Sequence, residues 1–373
     1  MKIGIPKEQR SGENRVAASP ETVKKFAAAG IAVVVERGAG KASAIADQAF
    51  EAAGATLADA SGAWDVDLVL KVQRPTEAEM AHLKAGHILV GALDPYPNRE
   101  QVQAYAEKGV TAFALELLPR TTRAQAMDIL SSQANLAGYK IVIDAMAAYA
   151  RCMPMMMTAA GTVTPAKVFV VGAGVAGLQA IATAKRMGAV VTATDVRPAA
   201  RQEIESLGAK FVGFIPEDGA TAGGYARPLT PEEQRKQAEM VAEHLKTQDI
   251  VLTTAQIPGR KAPRIVTGAM VASMKAGAVV VDLAAETGGN VEGSVPGESH
   301  VTDNGVTLLG AQNPPAKLAP AASLLYAKNL MNFVMLLVDK DKESFTVNEE
   351  DDLVKGSLLT RDGKVVHPSL QNS

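Results

Sequence analysis

The sequence predicts an α/β protein built from two Rossmann-like, doubly wound parallel-sheet domains linked by long helices. Three observations predict it. Short β-rich apolar runs alternate with helical patterns, and no fixed repeat period is present. Most of the runs are nearly continuous Val, Ile, Leu and Ala, as in parallel strands covered on both faces. One run, Val168-Phe169-Val170-Val171, leads into Gly172-Ala173-Gly174-Val175-Ala176-Gly177 and then into a helical pattern.

A first series of candidate strands covers 31–35, 67–72, 87–93 and 111–117. A second covers 167–171, 190–195, 210–214, 249–254, 278–283 and 306–309. Helical patterns such as 178–187 and 231–246 lie between strands. The segment 123–137 lacks glycine turns and continues as a helical pattern to about 150. It predicts a connecting helix that ends near Pro154. A similar helix is expected over 321–338. These two helices bracket the second series, so the chain is expected to enter a second domain and return. The expected boundaries are 1–130 plus 325–373 for a discontinuous first domain and 138–320 for the second. Near the end, Arg361-Asp362-Gly363-Lys364 predicts a tight turn between strands.

Composition narrows the function. The chain has 373 residues, 47% hydrophobic and 21% charged, with a net charge of −2. That balance offers no basic field for nucleic acid or anionic lipid. Aromatic residues, at 4%, are too few for base-stacking platforms. Cys152 is the only cysteine, which excludes an intramolecular disulfide framework and a multi-cysteine metal site. The compartment expected from this is cytoplasmic. The charged N-terminus is not a signal peptide. No run reaches the roughly 20 apolar residues of a spanning helix.

The glycine run is G-x-G-x-x-G in a strand-to-helix context. The first glycine permits the tight turn and the second lets backbone approach a pyrophosphate. The third lets the helix pack close, and the helix N-terminus offers unpaired N–H groups to the anion. Val175 and Ala176 belong to the same turn. The next strand ends in Asp195, where the ribose-binding acid of this motif stands, roughly 20 residues on. A carboxylate there favours NAD over NADP. Val196 and Arg197 follow it, and an arginine nearby can instead accept a 2′-phosphate. Two further candidate segments lie at carboxyl ends of strands. One runs from Thr253 to Gly259 with Thr254, Ala255 and Gln256. The other runs from Asp282 to Asn290 with Leu283 and Glu286. Buried turns are the alternative reading of both, and for Thr253 and Thr254 they explain the residues equally well.

Other features carry less. The five histidines show no metal-ligand spacing. Gly38-Ala39-Gly40-Lys41 lacks the earlier glycine and following hydroxyl of a phosphate loop and reads as a turn. The methionines of 153–157 read as packing filler and Cys152 as a structural thiol. The loop 215–231 fits either a mobile lid or a plain surface loop. The stretch from Pro119 to Asp128 follows the last strand of the first series. It reads either as a functional polar cluster or as a helix N-terminal network capped by Asp128 or Thr122.

Several segments are similar to one family. Ile5-Pro6-Lys7-Glu8, Asn14-Arg15-Val16-Ala17, Ser19-Pro20-Glu21 and Lys71-Val72-Gln73-Arg74-Pro75 resemble the alanine dehydrogenase and nicotinamide nucleotide transhydrogenase superfamily. Arg15 and Lys71 fit the positions that hold pyruvate in the dehydrogenase branch. That branch also uses a histidine at the end of a strand, where this chain has Asp94; His87 lies at the other end and points to the opposite face.

The other branch is the NAD(H)-binding component, domain I, of proton-translocating transhydrogenases, and the likeness covers essentially the whole chain. Its Arg-Gln-Asp loop is similar to PRTTRAQAMDILSSQANLAGY. The resemblance assigns Arg120, Gln125 and Asp128, with Ser131 following, to orienting the nicotinamide and its ribose. TAGGYA resembles the family's nucleotide-covering loop, whose tyrosine is Tyr225 here; a family methionine is replaced by Leu229. The resemblance implies hydride transfer between NAD(H) on this chain and NADP(H) on a partner component, domain III. It further implies coupling to proton translocation by a membrane-spanning domain II, a homodimer, and a peripheral location on the inner face of the cell membrane. The alternatives are an alanine-type amino-acid dehydrogenase and a non-catalytic NAD(H)-binding module.

Overall fold

The computed structural model describes residues 1–214, 230–257, 259–339 and 341–371. It divides into two compact units, Met1–Gln133 with Pro315–Ser373, and Ala134–Pro314.

In the first unit the strand Lys2–Ile5 lies between Ala32–Glu36 and Leu68–Gln73, parallel to both. Thr56–Ala58 extends the sheet beyond Ala32–Glu36. Ile88–Ala92 and Thr111–Ala114 extend it on the other side, again parallel. The hairpin Leu358–Arg361 and Lys364–Val365 completes that side antiparallel, giving eight strands among the described residues. Asp362 and Gly363 sit at φ 49° and 75°, the left-handed pair that a two-residue hairpin turn requires. One face packs Ile3, Ile5 and Leu70 with Phe26 and Phe333; the other packs Val69 and Leu89 with Trp64 and Tyr105. Burial on both faces is why Leu68, Val69, Leu70 and Val72 are all apolar.

The second unit repeats the plan. Lys167–Val171 lies between Val190–Thr194 and Ile250–Thr253. Lys210–Phe211 follows on one side; Val279–Asp282 and Thr307–Gly310 follow on the other, all parallel. Ser299–Val301 adds an antiparallel edge. In each unit the first three parallel strands run outward in one direction and the next three in the other. The order reverses between the first and fourth strands, where open α/β sheets place their ligands.

Several expectations need correction. The strands Lys2–Ile5 and Thr56–Ala58 are not among the apolar runs that the sequence marks as strands. Lys2–Ile5 is short and interrupted by Gly4, so it lacks the continuous apolar run that marks the other strands. A Cβ there would stand 2.0 Å from the Ala63 carbonyl oxygen of the covering helix, so the glycine is a packing requirement. The run 111–117 stops as a strand at Ala114 and becomes a 3-10 turn, Leu115–Leu117. The connecting helix does not begin at 123. A 3-10 segment, Thr122–Met127, comes first, and the helix runs over Ile129–Ala148. The second long helix is Ala319–Val334, ending four residues early. The methionines divide. Met153 is 4% exposed, but Met155, Met156 and Met157 are 59%, 40% and 79% exposed. Met156 and Met157 lie in a hairpin, Met156–Thr158 with Gly161–Val163, so they are not filler.

Local signals account for several helix starts. Ser19 and Thr22 form a capping box ahead of Pro20–Ala28; Thr76 with Glu79 and Thr230 with Glu233 repeat the device. Among the described residues no helix is long and apolar enough to cross a membrane. No cluster among them could hold a metal ion.

Candidate nucleotide site

The second unit presents its glycine turn at the reversal of strand order. The three glycines answer three separate demands. Gly172 has φ +98°, and a Cβ on it would stand 2.8 Å from Thr254 Oγ1. Gly177 would drive a Cβ to 1.9 Å from the Gly172 carbonyl oxygen, so only hydrogen lets the helix Val175–Arg186 start this close. A Cβ on Gly174 would meet nothing within 4 Å among the described residues, which leaves an approach open on that side. Gly174 is also the helix N-cap and makes no side-chain cap. The first-turn N–H groups are therefore available to an anion. Val175 is exposed and Ala176 is buried beside them.

Asp195 follows the strand Val190–Thr194. Its Oδ2 accepts the Ala173 N–H at 2.7 Å and its Oδ1 accepts the Arg197 N–H at 2.8 Å. Arg197 Nε takes the second lone pair of Oδ1, so Oδ2, whose other contact is a long one to Arg197 at 3.5 Å, is the oxygen with room for a ribose hydroxyl. Arg197 is engaged three ways. It donates to Asp195 Oδ1 at 3.1 Å and to the Ala173 carbonyl at 2.8 Å, and it pairs with Glu203 at 3.5 Å. The side chain that could receive a 2′-phosphate is thus already spent on carboxylates and backbone. Val196, 45% exposed, adds an apolar surface beside the acid.

The two strand-end segments behave differently. Thr253 is fully buried and donates to Asp282 Oδ1 at 3.0 Å, a structural duty. Thr254 Oγ1 donates to the Gly172 carbonyl at 3.0 Å, tying its segment to the glycine turn. Ala255 is half-buried and Gln256 exposed. Asp282, also fully buried, accepts in addition from the Ala284 and Val291 N–H groups and from Ser294 Oγ. Leu283 is buried, while Glu286 is exposed and accepts the Asn313 N–H at 2.9 Å. Tyr225, Leu229 and residues 215–229 of the predicted lid segment lie outside the described residues.

The Arg-Gln-Asp segment belongs to the first unit. Ala124 and Met127 anchor it in the core, and the Ala126 carbonyl accepts from Asn329 and Asn332, each at 2.9 Å. Arg123 pairs with Asp351. Asp128 acts as a cap at the start of helix Ile129–Ala148: Oδ1 accepts the Ser131 N–H at 2.9 Å and Oδ2 accepts Ser131 Oγ at 2.5 Å. Thr122 does not cap. Arg120 and Gln125 are exposed, with no side-chain partner among the described residues. The anchoring asparagines escape a motif search because a few polar residues on an otherwise apolar helix carry no motif spacing.

Arg15 and Lys71, the pyruvate-holding pair of the dehydrogenase branch, are committed elsewhere. Lys71 is fully buried and pairs with Glu79 at 2.6 Å and Glu8 at 3.1 Å. Burial pushes the Glu8 carboxyl above its usual range, against the pull of Lys71. Arg15 pairs with Glu13 at 2.7 Å and donates to Gln133 at 2.9 Å. Asp94 is exposed, at φ +47°, and its N–H donates to Glu116.

The family models for the alanine dehydrogenase/PNT N-terminal and C-terminal domains match residues 4–137 and 141–368. A chain of Rhodospirillum rubrum, the first part of its NAD(P) transhydrogenase subunit alpha, is 52% identical, covering 99% of each chain. A solved structure of transhydrogenase from Sinorhizobium meliloti has a TM-score of 0.90 and 53% identity, covering 98% of this chain and 100% of that one. Alanine dehydrogenase of Mycobacterium tuberculosis is 33% identical over 91% of this chain and 88% of its own.

Proposed function

The chain belongs to the alanine dehydrogenase/PNT family, and from that premise we propose that it is the NAD(H)-binding component of a proton-translocating transhydrogenase. The observation that carries the reading is the glycine turn of the second unit. Gly174 is backed by open space, the helix start behind it is uncapped, and Asp195 stands beside it. These groups suit a pyrophosphate and a ribose diol. The commitment of Arg197 to Asp195 and Glu203 supports NAD over NADP. The high identity to transhydrogenase alpha-subunit chains supports the transhydrogenase role.

NADH bound to this chain would give up a hydride and leave NAD+, and NADP+ on domain III would take it up as NADPH. Transfer between two nicotinamide C4 atoms requires no general acid or base. The work left to this chain is orientation and exclusion of water. In this reading Gly172, Gly174 and Gly177 hold the pyrophosphate and Asp195 the adenosine ribose. Arg120, Gln125, Asp128 and Ser131 orient the nicotinamide and its ribose. Domain II would carry the protons, and the chain would act as a homodimer peripheral to the inner face of the membrane. The exposed methionines of the 156–163 hairpin are apolar surface that supports self-association.

The dehydrogenase reading has weaker support, because Lys71 and Arg15 are paired with carboxylates of their own unit. Gln125→Asn tests the proposal. It shortens an exposed side chain by one methylene without disturbing a described contact. The expected result is hydride transfer to a domain III partner reduced at least tenfold, with NADH affinity nearly unchanged. Normal turnover would remove Gln125 from the reaction. Activity with pyruvate and ammonia, and none with the partner, would overturn the whole reading.

A further inference from the structure

One buried side chain joins the two strand-end segments of the second unit. Asn290 is 0% exposed. Its Oδ1 accepts the Ala255 N–H at 3.0 Å, and its Nδ2 donates to the Ala255 carbonyl and the Pro263 carbonyl, each at 2.8 Å. The side chain thus pairs with both polar groups of one residue, as a neighbouring strand would. That duty needs one acceptor and two donors on a short side chain. Only an asparagine amide supplies them; a carboxylate cannot donate and a serine has one donor.

The segment it holds backs the glycine turn. Ala255 N would lie 3.2 Å, and Thr254 Oγ1 2.8 Å, from a Cβ on Gly172. The 254–255 backbone is therefore the wall against which Gly172 turns. We infer that Asn290 is a positioning residue for the nucleotide, acting through the Ala255 peptide on the pyrophosphate-binding turn. The inference rests on the nucleotide reading above.

The structure supplies its own control. Asn304 also holds backbone, donating to the Val271, Ala272 and Met274 carbonyls at 3.1, 3.2 and 3.3 Å. It caps the end of helix Gly268–Ala272 and precedes the strand Thr307–Gly310, at the amino end of the sheet. A purely structural role predicts the same behaviour for both asparagines. Removal of the Asn290 side chain also leaves one seam intact, because its main-chain carbonyl still accepts the Ile265 and Val266 N–H groups at 2.8 and 2.9 Å.

The experiment measures NADH affinity by nucleotide fluorescence, alongside thermal unfolding, for the unaltered chain, Asn290→Ala, Asn290→Asp and Asn304→Ala. Asn290→Ala is expected to weaken NADH about tenfold, the scale of one or two buried hydrogen bonds. Asn290→Asp is nearly isosteric but faces two carbonyls with an anion, so it is expected to weaken NADH as well. It carries the test if the alanine variant does not fold. Asn304→Ala is expected to lower the Tm and bind NADH normally. Normal binding by the Asn290 variants overturns the inference, as does an equal loss of affinity in Asn304→Ala. Failure of the unaltered chain to bind NADH overturns the nucleotide reading and takes the inference with it.

Discussion

Both units place their first strand between the second and fourth, yet they finish that strand differently. In the second unit, Lys167–Val171 runs out into Gly172 at φ +98° and Gly174, whose missing Cβ faces open space. In the first, Lys2–Ile5 runs into Pro6-Lys7-Glu8. Glu8 accepts the Val72 N–H at 2.7 Å and pairs with Lys71, which also holds Glu79. Reversal of strand order makes a crevice in either case. Glycines leave one crevice open and lined by backbone donors, while ion pairs fill the other. Strand order alone therefore says little about binding; the residues of the first turn decide it.

Lys71→Met attacks the filled crevice and has the largest expected effect. It strands Glu8 and Glu79 in the interior without their cation, a loss of about 3–5 kcal/mol for a broken buried pair. Urea unfolding should show that drop. NADH affinity, which the proposed reading rests chiefly on the glycine turn of the second unit, should hold in whatever fraction stays folded. A stability change near zero would mean that the ion pairs do not fill the first crevice. A matching loss of NADH affinity would erase the contrast between the units.

Gly174→Ala attacks the open crevice. Its φ is −70°, which any residue adopts, and a Cβ there meets nothing within 4 Å among the described residues. Stability should change by less than about 0.5 kcal/mol and could rise slightly through a stiffer unfolded chain. In the proposed reading the methyl group stands in the path of the pyrophosphate, so NADH affinity should fall at least tenfold. Retained affinity, read by fluorescence titration, would show that the openness at Gly174 is not where the nucleotide approaches.

The two crevices were unequally legible in the sequence. The open one announced itself, because close approach of backbone to a ligand demands glycine at fixed spacings, and Asp195 lies at the distance a second strand imposes. The filled one did not. Its first strand, Lys2–Ile5, hides behind Gly4, a glycine required by contact with Ala63 and not by a turn. Glu8 is distant in sequence from Lys71, and although Glu13 and Glu79 lie nearer to Arg15 and Lys71, only the fold shows these groups buried and paired. Family likeness flagged Arg15 and Lys71 as a substrate pair, and their partners became visible only in three dimensions. Asn290 was legible as part of a strand-end segment, but the bonds of its amide depend on where Ala255 and Pro263 come to lie. The strand runs were visible because burial on both faces makes them apolar. Their ends were less so, since Leu115–Leu117 and Thr122–Met127 are short 3-10 turns whose composition resembles the neighbouring elements.

The smallest effect sharpens the same contrast through pH. Glu116 follows the strand Thr111–Ala114 in the first unit. One oxygen accepts the Asp94 N–H and the other is buried with no hydrogen-bond partner among the described residues. Burial pushes its carboxyl up to about 7 from an ordinary 4.5, and the nearby Asp94 charge adds to the rise. The folded chain therefore holds a proton that the unfolded chain releases between those values. The contribution to stability is complete below about pH 4.5 and is lost as pH rises through about 7. Glu116→Gln cannot lose that proton. Between pH 5 and pH 8 the Tm of the unaltered chain should fall relative to that of the variant. Their NADH affinities should keep a constant ratio, because no described contact places Glu116 at the glycine turn. Parallel Tm profiles would show that Glu116 ionises freely at the carboxyl end of the first sheet. That crevice would then be wetter than its ion pairs imply, and closer in character to the open crevice of the second unit.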